Sequence, residues 1–135
     1  MRIIICLDDN NGMMFNNRRQ SRDKKVIEDI SNTIRENNGF LNCGHYTQKM
    51  FEENYPLAPN LVGNDELPPN YHFVENKINT LEFVTKITIY RWNRVYPADI
   101  YFEFDLEGCG FEKTLSTDFP GNSHESITKE IWKKI

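Results

Sequence analysis

The sequence predicts a mixed α/β domain, with a sheet that is parallel in its first part, where two helices lie, and antiparallel in its C-terminal strands. Three observations lead there. An uninterrupted apolar run opens the chain at residues 2–7, two helical patterns occupy residues 21–54, and a stretch rich in β-branched and aromatic residues follows from residue 82. Parallel strands need long, usually helical crossovers and hairpins do not, so helices in the first half place the parallel strands there. A chain of 135 residues buries one core, and we read residues 1–135 as a single domain.

Each element has its own signal. Arg2-Ile3-Ile4-Ile5-Cys6-Leu7 is continuously apolar, the pattern of a strand covered on both faces inside a sheet. LDDNNGMMFNNRRQSRD, residues 7–23, follows as a polar loop with almost nothing to offer a core. Ser21 can then cap a helix in which Val26, Ile27, Ile30 and Ile34 recur at spacings of three and four, with Asp23 in its first turn. Asn37-Asn38-Gly39 ends it. FLNCG reads as a short strand, and HYTQKMFEEN as a second short helix starting near Tyr46 or Thr47. From Tyr55 to Pro69 four prolines predict loop around a short segment at Leu61-Val62, and NYHFVEN, 70–76, reads as a strand. Between residues 82 and 104 Pro97 divides two strands: Phe83 to Tyr90 alternate as one long strand, and Ile100, Phe102 and Phe104 form the apolar face of the next. Ile127, Ile131 and Ile135, spaced by four, favour a helix after Ser123.

A net charge of −4 exerts no global pull toward nucleic acid or an anionic membrane. The charge is uneven, however, since Arg18, Arg19, Arg22, Lys24 and Lys25 crowd into residues 18–25. Such a cluster is either a solvated helix face or a site for an anionic partner such as a nucleotide or RNA, because arginine forks suit phosphate. Cys6, Cys43 and Cys109 show no C-x-x-C spacing, so neither a disulfide framework nor a zinc site is expected. The first apolar run is far short of the roughly 20 residues that span a bilayer, so a cytoplasmic protein with no membrane association is expected.

The first strand should end beside the ligand cleft, since clefts in open α/β sheets lie beyond the C-terminal ends of parallel strands. Here that strand runs into Asp8-Asp9-Asn10-Asn11-Gly12-Met13, a D-x-N-x-x-G-like stretch. A helix with a single acid in its first turn, Asp23, comes next, then Gly44-His45-Tyr46-Thr47 at the start of a helix. The chain closes with LEFVTKITIY, then Ala98-Asp99-Ile100-Tyr101-Phe102, then Asn122-Ser123-His124. In this order the motifs resemble the dihydrofolate reductase family over about residues 1–54 and 82–135. The resemblance implies a minimal dihydrofolate-reductase-like mixed sheet that binds a nucleotide or pterin-like small anion at the cleft beyond the first strand. It makes Asp23 the catalytic acid facing the pterin, gives the Gly44, His45 and Thr47 turn to the phosphates of NADPH, and makes the C-terminal run a strand rather than a helix. Asp8, Asn10, Gly12, Met13, Arg18, Arg19 and Arg22 would form the lip of the cleft. The chain departs from the family in two places: Arg18-Arg19-Gln20-Ser21-Arg22 stands where a tryptophan and a proline usually precede the acid, and no second glycine-rich turn occurs between Val74 and Phe83.

Other constellations were weighed on their chemistry. Asp23 is either a proton donor tuned by burial or a capping carboxylate. Asp8-Asp9 resembles the Mg²⁺-holding acidic pair of receiver domains, but the antiparallel half supplies no partner Asp and Lys at later parallel strand ends. His45, His72 and His124 lack metal-ligand spacing, so no metal is expected, and Ser123 and His124 stand as secondary site candidates. YRWNR, 90–94, is either a base-stacking surface or sheet packing flanked by arginines. The alternative to a small-anion site is a non-catalytic RNA- or protein-binding regulator using residues 18–25.

Overall fold

A computed structural model describes residues 1–54, 61–62 and 70–135. Its elements in chain order are β1 (Arg2–Leu7), β2 (Gly12–Phe15), β3 (Arg18–Arg19), α1 (Lys24–Glu36), β4 (Phe40–Asn42), α2 (His45–Asn54), β5 (Leu61–Val62), β6 (Asn70–Phe73), β7 (Lys86–Arg91), β8 (Ile100–Tyr101), β9 (Phe111–Phe119) and β10 (Ile127–Lys134). Among the described residues seven strands form one sheet in the order β5-β4-β6-β1-β7-β10-β9, and β3-β2-β8 form a second. β5, β4, β6, β1 and β7 run parallel, whereas β10 is antiparallel to both β7 and β9. The expected mixed sheet, parallel first and antiparallel last, is what forms. The prolines of 55–69 lie outside the described residues apart from the expected Leu61-Val62 segment, which is β5.

β1 sits between β6 and β7, and this position explains its unbroken apolar run. Ile4 faces one core with Val26, Ile27, Ile30 and Ile34 of α1, Met50 and Phe51 of α2, and Trp92. Ile3, Ile5 and Leu7 face a second core with Met13, Ile87, Ile89, Phe102, Phe111 and Trp132. Both helices thus pack on one face, and non-helical segments carrying Leu81, Val84, Phe102 and Leu106 cover the other. Each fully buried isoleucine contributes about 1.5–3 kcal/mol relative to exposure.

Four expectations are corrected. The polar stretch after β1 is not a plain loop: β2 and β3 pair through Phe15 and Arg18, leaving a two-residue turn at Asn16-Asn17. Both asparagines take positive φ, 52° and 60°, as a type I′ hairpin turn requires, and Asn is among the few residues that tolerate it. Asp23 rather than Ser21 caps α1, its side chain accepting from the Lys25 N–H, so it is not in the first turn. The long strand expected from Phe83 starts only at Lys86, because Leu81 to Val84 close a turn. The C-terminus is a strand, as the resemblance implies and against the isoleucine spacing: β10 pairs along both edges, and the bulge opposite Ile131 and Trp132 lies in β9, at Thr114. Its partner β9 had no clear signal, since seven of its nine residues are exposed.

Candidate functional site

The end of β1 is organised around a buried carboxylate. Asp8 is 0% exposed, yet its Oδ1 accepts from the backbone N–H groups of Asn10 (2.9 Å) and Gly12 (2.7 Å), and its Oδ2 from Gln20 Nε2 (3.2 Å) and the Tyr96 N–H (3.0 Å). Four donors offset the cost of burying the charge. Asp8 therefore ties the hairpin to the 94–98 segment, and these bonds occupy it as a structural anchor. Gly12 has no room for a side chain: a Cβ would lie 2.5 Å from Gln20 Nε2 and 2.7 Å from Ala98 Cβ. Met13 is in the core, and of this stretch Asn10 is exposed.

A second buried carboxylate closes the opposite wall. Asp23 caps α1 and also receives the turn that precedes β10: the N–H groups of Asn122 (2.9 Å), Ser123 (2.8 Å) and His124 (3.1 Å), the Ser123 hydroxyl (3.2 Å) and His124 Nδ1 (3.0 Å). Burial by itself would raise its pKa, but the hydrogen bonds from Asn122, His124, Lys25 and Ser123 outweigh it and bring the carboxyl down to about 2. Of the two roles open to Asp23, the structure shows the capping carboxylate: both oxygens are taken by donors of α1 and of the turn before β10. Gly121 makes the turn possible, since a Cβ there would sit 2.6 Å from the His124 carbonyl oxygen and 2.8 Å from Asp23 Oδ2. His124 is buried, stacked on Trp92 with ring centroids 4.7 Å apart, and its Nε2 meets the hydroxyls of Tyr96 (2.8 Å) and Ser21 (3.2 Å).

The basic cluster divides. Arg19 forms a two-pronged pair with Glu75 at 2.7 and 3.1 Å, reaches Thr47 Oγ1 at 3.4 Å and lies over the Tyr46 ring at 4.7 Å. Burial works against its charge, but Glu75 more than compensates and raises its pKa. Arg18, Arg22 and Lys24 are exposed, and Lys25 is exposed beside Glu28 at 4.0 Å. Gly44 precedes α2, which His45 opens, and among the described residues no atom lies within 4 Å of a Cβ built on Gly44. Thr47, however, is buried and donates its hydroxyl to Glu75. The protein's own carboxylate thus takes the Thr47 hydroxyl near the start of α2, and its negative charge there opposes the binding of a phosphate such as those of NADPH.

Between these walls lies a cleft at the C-terminal ends of β1, β6 and β7. Its walls are apolar, with Cys6, Met13, Val26, Ile30, Phe73 and Trp92, and its rim carries Arg19, Gln20, Ser21, Arg22, Asp23 and Glu75. It is narrow, with about 20 Å³ open to the centre of a water molecule, enough for one ordered water. A wider cleft on the outer side of the hairpin has Phe15, Arg18, Arg19, Gln20, Tyr96 and Pro97 along it. YRWNR does not form a base-stacking surface: Tyr90 is buried and donates to Asp29 at 2.5 Å, Trp92 is buried, and Arg91 pairs with Glu130 at 3.0 Å, which leaves Arg94 exposed. Cys6, Cys43 and Cys109 are free thiols, and burial pushes Cys43 up to about 11. Among the described residues no group of three or more His, Cys, Asp or Glu is placed to hold a metal, and no helix is long and apolar enough to cross a membrane.

Of the predicted residues, Met13, Arg19, Arg22 and Asp23 line the cleft; Ser123 and His124 join it only through Asp23, Asp8 and Gly12 form the base of the hairpin, and Asn10 and Arg18 lie exposed outside it. The sequence reading missed Gln20, Ser21, Glu75, Trp92 and Tyr96 as members of the site. Only Gln20 and Ser21 carried a signal, their place between the arginines; the others are joined to the site by sheet register alone. No protein-family model matches this chain, and neither does any curated protein.

Proposed function

We propose that this domain binds a small planar anion, of nucleotide or pterin-like chemistry, over the mouth of the narrow cleft between the β2–β3 hairpin and α1, with the hairpin moving outward to admit it. The observation that carries the reading is the place and lining of that cleft: apolar walls at the C-terminal ends of three parallel strands, with exposed Arg22 at the rim. The order of elements supports the dihydrofolate-reductase-like reading, since an apolar first strand, a helix at Asp23, a strand and helix at Gly44, and a closing antiparallel pair follow one another as that resemblance implies. Hydride transfer is not part of the proposal, because Glu75 holds the Thr47 hydroxyl at the start of α2 and the Asp23 oxygens are taken by hydrogen-bond donors.

Thermal unfolding with nucleotides, folate, dihydrofolate and NADPH at fixed salt tests this. A ligand at 100 times its Kd adds about 2.7 kcal/mol to stability, which raises the Tm by several degrees. Arg22→Glu should remove the shift. If no compound at millimolar concentration moves the Tm, the cleft reading fails. We expect no loss of absorbance at 340 nm with NADPH and dihydrofolate together.

One observation favours a second reading, a single-stranded RNA contact. Phe15, 48% exposed, shares the outer cleft with exposed Arg18, an aromatic platform beside a phosphate-binding cation. RNA binding that falls with Phe15→Ala and Arg18→Ala, while Arg22→Glu leaves it in place, would select it.

A further inference from the structure

The imidazole of His124 is held on one side and free to work on the other. A carboxylate only accepts hydrogen bonds, so Nδ1, 3.0 Å from Asp23 Oδ2, is a donor, and in the neutral imidazole Nε2 is then the nitrogen with the lone pair. That lone pair faces the Ser21 hydroxyl at 3.2 Å and the Tyr96 hydroxyl at 2.8 Å, and the two hydroxyls lie 3.4 Å apart. The ring cannot swing away, because Trp92 stacks on it and the His124 N–H is bound to the same Asp23 oxygen. Ser21 is half-buried and lines the cleft, so its hydroxyl lies where a bound molecule can reach it. Carboxylate, imidazole and hydroxyl in this order are the arrangement that makes a serine nucleophilic.

We propose that Ser21 is a nucleophile with His124 as its general base and Asp23 as the positioning residue, and that the domain hydrolyses esters bearing an anionic group. The substrate class rests on reading the cleft as an anion site, with exposed Arg22 beside Ser21 to hold the negative group. In the first step Ser21 Oγ bonds to the acyl carbon while its proton passes to His124 Nε2. The ester C–O bond then breaks, and the alcohol leaves with that proton. In the second step water adds to the acyl-Ser21 carbon and gives a proton to Nε2. The bond to Oγ breaks, Ser21 recovers the proton and the acid departs. Ester and water become acid and alcohol, with no oxidant or reductant.

The test is labelling of the full chain with phenylmethylsulfonyl fluoride, followed by intact mass and peptide mapping. One adduct on Ser21 is expected, absent in Ser21→Ala, slowed at least about tenfold in His124→Gln and unchanged in Ser116→Ala on exposed β9. Because His124→Gln removes a packed ring, Ser21→Cys supplies an independent reading: its thiol should react with iodoacetamide at pH 6 at least about tenfold faster than the same chain's Cys43. A wild-type chain that takes no label on Ser21, or a Ser21→Cys thiol no faster than Cys43, overturns the proposal. Thermal shifts by planar anions report the cleft separately. Shifts without labelling would sink the nucleophile alone, and labelling without shifts would sink the anion site alone.

Discussion

Asp23 allows the sharpest prediction, since one buried carboxylate joins the start of α1 to the turn before β10. Asp23→Asn keeps the shape but removes the charge, and it sets an NH₂ group against N–H donors from Asn122, Ser123 and His124. The drop of the carboxyl from its ordinary 3.8 to about 2 corresponds to about 2 kcal/mol of stability. A misdirected amide adds about 1 kcal/mol more. For a domain of this size a loss of about 3 kcal/mol lowers the Tm by roughly 10 °C. The sign of the pH dependence follows from the direction of the shift. The folded carboxyl is the stronger acid, so the unfolded chain takes up the proton first; the stabilisation is full above about pH 4 and fades as pH falls through about 2. Thermal unfolding followed by circular dichroism, wild type against Asp23→Asn between pH 2 and 7, measures both effects. A Tm gap under about 3 °C at pH 7, or a gap that does not narrow below pH 4, would refute the reasoning.

Three further outcomes are expected. Gly12→Ala should cost about 1–3 kcal/mol in urea unfolding, because Gln20 can move aside but Ala98 Cβ, 2.7 Å away, cannot without a backbone shift. Asn17, with φ 60°, should accept Gly with equal or higher stability and lose about 1–2 kcal/mol as Val, whose branched side chain resists the left-handed region. Cys43, pushed up to about 11, should be alkylated by iodoacetamide at pH 8 about tenfold more slowly in the native chain than in urea, and equal rates would contradict the burial of that thiol.

The elements carried by period and composition were legible. β1 announced itself because both faces of an interior strand are apolar, and α1 because Val26, Ile27, Ile30 and Ile34 all face one core. The parallel-then-antiparallel sheet followed from where the helical patterns stop. Other features carried contrary or weak signals. Seven exposed residues hid β9, and isoleucines spaced by four suggested a helix in β10, although the same spacing also keeps one face of a strand. The β2–β3 hairpin was masked by polarity, although Asn16-Asn17 was its turn signal.

The candidate site shows the same division more sharply. The sequence by itself determined the residue types at the mouth of β1: two aspartates, a glycine and a run of arginines. Only the tertiary structure decided which of them meet. Asp23 and His124 are 101 positions apart and Arg19 and Glu75 are 56 apart, and neither pair has any periodic relation along the chain. Sheet register brings them together, and buried charges then take the partners that register supplies, because an unpaired charge is too costly to leave in the interior. Arg19 was thereby drawn from the anion site into an ion pair, and Asp23, a helix cap as one of its two readings had it, also became the anchor of an imidazole.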